Sequence, residues 1–288
     1  MSDRAQNVVP VLTVVTALIV FWYLAAIAVN FGAAQAQAGA TAPVQTVAVA
    51  ALGLPRPVLP APHQIAETVV SGIFGAPIDS PHSLVYHAGV TAETALTGFV
   101  LACVLGILLA VGIVHQRTLD RSLMPWIIAS QTVPVLAVAP MVVVVLGNIG
   151  LTGLLPKALI AAWLSFFPIA TGMVAGLRTP DTMQLDLMRT YSASGWNVFA
   201  KLRWPASMSF LFVGMKVAAT LAVVGAIVAE LPTGAQAGIG ARLLAGSYYG
   251  QTLQIWAALF MAAMLAILAI GATDLAQRLM VQGRGGRL

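Results

Sequence analysis

The chain has 288 residues, of which 59% are hydrophobic and only 8% charged, with a formal net charge of +5 and a mean hydropathy of +0.92. A soluble domain carries about 25% charge, so this is a polytopic membrane protein, and its basic excess belongs to loops beside a bilayer rather than to nucleic-acid binding. The single Cys103 lies in an apolar run, which excludes an internal disulfide, a thiol redox pair and a Cys-rich zinc cluster.

The first predicted span covers residues 8–31, apolar apart from Thr13, Thr16 and Asn30. Ala34-Gln35-Ala36 resembles a signal cleavage site, but a signal's apolar region runs about 7–15 residues. This run is far longer, which favours a retained helix. Residues 32–62 form an Ala/Gln/Gly/Pro-rich connection, and its apolar piece, 45–54, is too short to cross, since a span needs about 20 residues. Residues 1–62 are thus read as a span with its external connection, and 63–288 as a core of five further spans. His82 and His87 lie five apart in a segment expected outside, with only Asp79 as a nearby acid and no Cys partner. They are read as solvated interfacial histidines rather than a metal site.

The second span, 94–114, carries Gly98, Gly106 and Gly112, which permit close helix approach. His115, Arg117, Asp120 and Arg121 then make a short charged turn. The third span, 123–146, and the fourth, 151–176, are separated by Gly147-Asn148-Ile149-Gly150. Gln131-Thr132 sits near the middle of the third, where Pro134 and Pro140 disturb the helix and free carbonyls. This pair fits two roles, hydrogen bonding between helices or contact with a transported solute. Asn148 and Lys157 fall close to the outer surface, and Ser165-Phe166-Phe167-Pro168 reads as a kinked packing segment.

Residues 178–206 are too polar to lie in a membrane, although a span flanks them on each side. Thr179-Pro180-Asp181 reads as a helix start with Thr179 as N-cap. Ser192-Ala193-Ser194-Gly195 breaks the rhythm. A second short helix follows with Trp196, Phe199 and Leu202 on one face, and Pro205 is expected to end it. A helix–break–helix with a projecting aromatic face is suited to docking another protein.

The fifth span, 207–229, ends at Glu230-Leu231-Pro232. A Gly-rich loop with Gly234, Gly238 and Gly240 leads to the sixth span, 253–275. Lys216 lies shallow enough in its helix to snorkel to the inner surface. A charge at mid-bilayer costs about 2.5–3.5 kcal/mol; Glu230, at a span end, is either simply solvated or part of a gate at the outer mouth. Trp22, Tyr23 and Trp256 read as bilayer packing or belt residues.

With the N-terminus inside, the inner segments hold Arg4, Arg117, Arg121, Arg178, Arg189, Lys201, Arg203, Arg278, Arg284 and Arg287, against Arg56, Arg242 and Lys157 outside. The positive-inside rule then places both termini and residues 178–206 in the cytoplasm. The chain has no Gly-x-x-x-x-Gly-Lys-Ser/Thr loop and no His-Glu-x-x-His. No nucleophile, base and acid can be picked out together, which disfavours a membrane enzyme. An ion-coupled secondary transporter would show deep ionisable residues and often a repeat between halves, and neither is evident.

The loop resembles that of the membrane subunits of type I ABC importers, which reads Glu-Ala-Ala, three residues, Gly, nine residues, Ile, one residue, Leu-Pro. Laid on Pro205, that register puts Asp186 at the Glu, Leu187 and Met188 at the two Ala, Ser192 at the Gly, Leu202 at the Ile and Trp204 at the Leu. From Leu59-Pro60-Ala61-Pro62 onward the chain is similar to the nitrate/sulfonate/taurine branch. The stretches Ser130–Pro140, Asp186–Pro205 and Gly234–Gly240 together look most like permeases for thiamine-precursor pyrimidines and riboflavin-like heterocycles. The resemblance covers residues 59–276.

It implies an all-α, six-helix type I ABC importer permease fold in a bacterial inner membrane. It also implies a homodimer of this chain, two cytoplasmic ATPase subunits that carry the ATP and Mg, and an extracytoplasmic substrate-binding protein, with no cofactor on the chain itself. Asp186, Leu187, Met188, Arg189, Ser192, Ala193, Ser194, Trp196, Phe199, Leu202 and Pro205 would form the coupling loop. ATP-driven closure would draw two such loops together and turn the pathway from inward-open to outward-open. Gln131, Thr132 and Glu230 are the candidate pathway and gate residues. Because Gln131 and Thr132 are neutral hydrogen-bonders, a pyrimidine- or flavin-like vitamin or precursor suits the path better than nitrate, a sulfonate or taurine.

Overall fold

The computed structural model describes residues 3–39, 41–231 and 234–282, with side chains described within 8–280, and every regular element among them is helical. Pro232, Arg284 and Arg287 lie outside the described residues, and so does the side chain of Arg4. Five helical runs are long and apolar enough to cross a membrane: Val8–Ala38, Leu84–His115, Leu154–Leu177, Gly195–Glu230 and Thr252–Met280. A sixth crossing is available if the bent pair Arg117–Thr132 and Val135–Asn148 counts as one span.

The chain divides into two compact units, one of Met1–His87 with Arg242–Met261 and one of Ala88–Ala241 with Ala262–Leu288. In the first, α1 (Asp3–Ala38) runs past the predicted span, and the connection after it contains α2 (Val44–Leu52) and α3 (Pro62–Phe74). Ala34, Val47, Ala51 and Leu54 form a small core between α1 and α2. Asn30, a polar intrusion in an otherwise apolar helix, is fully buried. Its amide nitrogen donates to the Leu59 carbonyl at 2.7 Å and its oxygen accepts the Val58 N–H at 2.8 Å, so it pins the segment before α3 onto α1. A buried amide satisfied this way fixes a loop that has no helix of its own. Trp22 donates its indole N–H to the Pro60 carbonyl at 3.1 Å and packs on Trp256, with ring centroids 5.1 Å apart. Tyr23 stacks on His63. Trp22 and Tyr23 therefore clamp protein to protein.

The second unit is built on two helices, α7 (Leu154–Leu177) and α10 (Trp204–Glu230). They approach so closely that a Cβ added at Gly214 would lie 2.5 Å from the Pro168 carbonyl oxygen, and one at Gly225 would lie 2.7 Å from Ala161 Cα. α7 also receives α4 (Leu84–His115) at the same residues: a Cβ at Gly98 would meet Ala161 Cβ at 2.5 Å, and one at Gly106 would meet Ile169 Cγ2 at 2.9 Å. Small residues let backbones touch where hydrocarbon offers no hydrophobic drive between helices. Gly112, grouped with these two in the sequence, meets only the Leu119 side chain at 3.3 Å. Ile113, Ile169, Met173 and Leu177 fill the core beneath.

The charged cluster at residues 115–121 is a helix start rather than a turn: α5 (Arg117–Ala129) begins within it, and Asp120 forms an ion pair with Arg178 at 2.8 Å. The disturbance expected around Pro134 is a full bend of 103° between α5 and α6 (Val135–Asn148). Val133 is extended (φ −77°, ψ 121°), as the residue before a proline prefers. Ser130 and Thr132, in the tight turn at the bend, donate their hydroxyls to the Ile127 and Ala129 carbonyls. Pro140 leaves α6 continuous.

Candidate functional site

The polar loop between α7 and α10 is folded by its own side chains. Asp181, not Thr179, caps α8 (Thr182–Thr190): its carboxylate accepts the Gln184 N–H at 2.7 Å, and Gln184 returns the bond to the Asp181 N–H. Thr179 instead donates to Ala175 O at the end of α7. An ionised acceptor beside exposed helix N–H groups is worth more than a hydroxyl, and Thr179 is held by the helix before it. Asp186 and Arg189 form an exposed ion pair one turn apart. Ser192 takes a left-handed conformation (φ 50°), while its N–H and that of Ala193 close onto the Arg189 and Met188 carbonyls. This is the helix-ending geometry that glycine adopts at least cost, which gives the Gly position of the importer pattern a physical meaning. Ser194 then caps α9 (Gly195–Val198) by accepting the Asn197 N–H.

Met183, Leu187, Tyr191 and Trp196 stand exposed on this loop, Trp196 at 73%. Met188 and Leu202 are half-buried. Phe199 lies against Trp196, with ring centroids 5.7 Å apart, but does not share its exposure as expected. Its ring lies 5.3 Å from His115 and 5.8 Å from Trp204, packed against the core of the second unit. Nor does Pro205 end the helix. A single wide turn, Phe199–Arg203, carries the backbone from α9 into α10, with the Trp204 N–H reaching back five residues to Phe199 O. Helical structure is continuous over Gly195–Glu230.

At the α5–α6 bend, a cavity of about 1020 Å³ is lined by apolar side chains, among them Trp126, Val142, Trp163 and Phe166, with Ser130 and Thr132 as its hydroxyls. Both hydroxyl protons are given to backbone carbonyls, so they offer lone pairs to the cavity. Gln131 does not line it; its amide is exposed and donates to Ser130 Oγ. The volume lies at the top of the range for small-molecule sites, about 300–1,000 Å³.

Glu230 is not part of that lining, and it is fully buried rather than solvated. Thr91 donates to its Oε1 at 2.8 Å and the Gly240 N–H to its Oε2 at 2.7 Å, while the Ile239 N–H donates to Thr91 Oγ1. Gly238 (φ +118°) passes so close that a Cβ there would lie 2.3 Å from the Glu230 carboxyl carbon. The Gly-rich loop is thus wrapped around the carboxylate. Lys216 does not snorkel free but pairs with Asp274 on α12 (Thr252–Gln282), an acid in the sixth span that sequence reasoning missed because nothing local marks two residues so far apart as neighbours. His87 is buried, its ring nitrogen 2.8 Å from Pro81 O, whereas His82 is exposed. Among the described residues no group of three or more His, Cys, Asp or Glu could hold a metal ion.

Residues 102–285 match the family described as "Binding-protein-dependent transport system inner membrane component". The chain is 30% identical over 210 residues to the formylaminopyrimidine transport permease protein ThiX of Halalkalibacterium halodurans, covering 72% of this chain and 81% of that one. It is 30% identical over 230 residues to the riboflavin transport system permease protein RibX of Chloroflexus aurantiacus, covering 80% and 82%. To the putative aliphatic sulfonates transport permease protein SsuC of Bacillus subtilis it is 25% identical over 232 residues, covering 79% and 78%.

Proposed function

Since the chain belongs to the inner membrane components of binding-protein-dependent transport systems, we propose that two copies of it form the pathway of an ATP-driven importer and that residues 178–206 receive a separate ATPase subunit. The chain itself is a multi-pass permease for a small solute, of a family whose members are not enzymes. ATP and Mg belong to the partner subunits in this reading. An extracytoplasmic binding protein delivers the solute, and both termini face the cytoplasm.

The observation that carries the reading is the capped loop itself. It exposes Met183, Leu187, Tyr191 and Trp196, large apolar groups each more than half open, between two helices long enough to cross a membrane. Helix α9 also runs through the wide turn into α10 without a break, so a displacement at Trp196 is delivered along one rod. Co-purification is the direct test: a separate ATPase subunit should come down with the wild-type chain and be lost from Trp196→Ala. Retention of a coupled ATPase in that variant would overturn the docking role. Orientation is checked with single cysteines at Ser194 and Asp79 in a Cys103→Ser background. The two should label from opposite sides with an impermeant reagent.

The solute we favour is a pyrimidine- or flavin-like heterocycle. The relatives ThiX and RibX carry such names, and an apolar cavity offering the lone pairs of Ser130 and Thr132 suits a ring with N–H donors. The relative named for aliphatic sulfonates supports a second reading. Uptake by the reconstituted complex decides: transport of an alkanesulfonate that no heterocycle inhibits would replace the first reading by the second.

A further inference from the structure

A second cavity lies wholly within the first unit, between α3, the stretch that follows it, the Arg242 end of α11 (Ile239–Tyr248) and α12. Its volume is about 250 Å³, below the range of about 300–1,000 Å³ that holds a whole drug-sized molecule. Thr68, Ser71, His82, Arg242 and Gln254 supply its polar wall. Arg242 is half-buried, and its Nε is buried with no hydrogen-bond partner. No carboxylate among the described residues forms an ion pair with it. A guanidinium taken partly out of water without a counter-charge is an expensive arrangement, and burial holds its pKa below the usual value. Arg242 was counted in the sequence only as an outer charge.

The other wall has the opposite character. Thr68 gives its hydroxyl proton to Gln64 O at 2.7 Å and Ser71 gives its own to Thr68 O at 3.1 Å. Both oxygens therefore present lone pairs, and they can only accept. The cavity thus sets a guanidinium against a pair of acceptors, with Gln254 and His82 completing its polar wall.

We propose that this pocket binds a single carboxylate that carries an adjacent N–H or O–H donor, the carboxylate on Arg242 and the donor toward Ser71 and Thr68. A guanidinium matches a carboxylate with two parallel N–H···O bonds. A halide fills neither the fork nor the acceptor wall. The same chemistry is offered by a small free hydroxy acid and by an aspartate side chain beside its own backbone N–H. The proposal is independent of the transport reading and of the loop at residues 178–206.

The test uses the purified full-length chain in lipid nanodiscs, its thermal midpoint followed at fixed ionic strength while sodium glycolate, sodium acetate, N-acetyl-aspartate amide or sodium chloride is titrated. Glycolate and the blocked aspartate should raise the midpoint saturably, acetate only at higher concentration, and chloride not at all. Arg242→Gln should shift the half-saturating concentration upward by roughly tenfold or more, and Arg242→Lys, which keeps the charge without the fork, by less. Arg56→Gln, an exposed arginine outside the pocket, should titrate like wild type. Tighter binding of the blocked aspartate than of glycolate assigns the carboxylate to a docked protein segment; the reverse assigns it to a free acid. Should Arg242→Gln fail to fold, Gln254→Ala replaces it, with a smaller upward shift expected. No saturable effect from any carboxylate, or the same titration in wild type and pocket variants, would overturn the proposal.

Discussion

Two prolines in this protein do opposite things. At Pro134 the helix breaks and the chain turns through 103°; at Pro205 helical structure continues from Gly195 to Glu230. Both residues lack an N–H and both crowd the turn before them. The difference lies in the preceding residue and in what holds it. Val133 goes extended, while Trp204 stays helical (φ −63°, ψ −48°). Trp204 is held by the Phe199 ring, and the wide turn Phe199–Arg203 gives the proline ring room. At the bend, the hydroxyls of Ser130 and Thr132 bond to the Ile127 and Ala129 carbonyls inside a tight turn. A proline sets a local cost, and packing decides whether the helix bends or absorbs it.

The largest expected effect comes from pushing apart the helices that make Pro205 tolerable. Gly214→Val places a side chain where Cβ alone would be 2.5 Å from the Pro168 carbonyl oxygen. It should destabilise by about 3 kcal/mol, at the top of the overpacking range, read as a loss of folded chain in detergent unfolding. Near-normal stability would mean that the α7–α10 contact does not hold the rod.

Next comes the ring that holds the wide turn. Phe199→Ala should cost about 2 kcal/mol, less than a fully buried phenylalanine because the ring is only half-covered. Trp196→Ala, at an exposed position, should change the isolated chain's stability by less than about 0.5 kcal/mol while coupling to the ATPase falls. Equal unfolding losses in the two variants would erase the distinction between a docking side chain and a packing one.

A smaller effect tests the bend. In a Cys103→Ser background with spin labels at Arg121 and Val145, Pro134→Ala should lengthen the distance between the labels. It should also cost about 0.5–1 kcal/mol, since the proline's restriction of the unfolded chain is lost. An unchanged distance would assign the bend to Ser130–Thr132 instead. Gly147→Ala in α6, where an added Cβ meets nothing within 4 Å, should act in the opposite direction and stabilise by about 0.4 kcal/mol.

Much of this architecture is legible from the sequence because hydropathy is local. The crossings, the loop between the fourth and fifth spans and the close approach at Gly98 and Gly106 all follow from residues near one another in the chain. Within the loop, Ser194 and the break at residues 192–195 could be read, but Thr179 drew the cap away from Asp181. Helical spacing sets Phe199 beside Trp196, and their rings do meet, 5.7 Å apart; what spacing cannot show is that His115, far back in the chain, lies over the Phe199 ring. The polar partners escaped altogether. Asn30 with Leu59, Lys216 with Asp274 and Thr91 with Glu230 join residues far apart in the chain, and no pattern of one segment announces them.

The Thr91–Glu230 contact also bears on the order in which the protein can be built. Thr91 leaves the ribosome long before Glu230, and the last donor to the carboxylate, Gly240, comes later still. The second and fifth spans can insert and begin to pack while this clip is open, but the clip closes only when the glycine stretch arrives to wrap it. A nascent chain stalled a few residues before Gly238 would carry its fifth span with the Glu230 end unfastened, and one stalled a few residues after Gly240 has emerged would not. Synthesis of a short run of glycines thus adds the Gly240 donor to two spans that already pack through Ala95, Ala222, Val223 and Ala226.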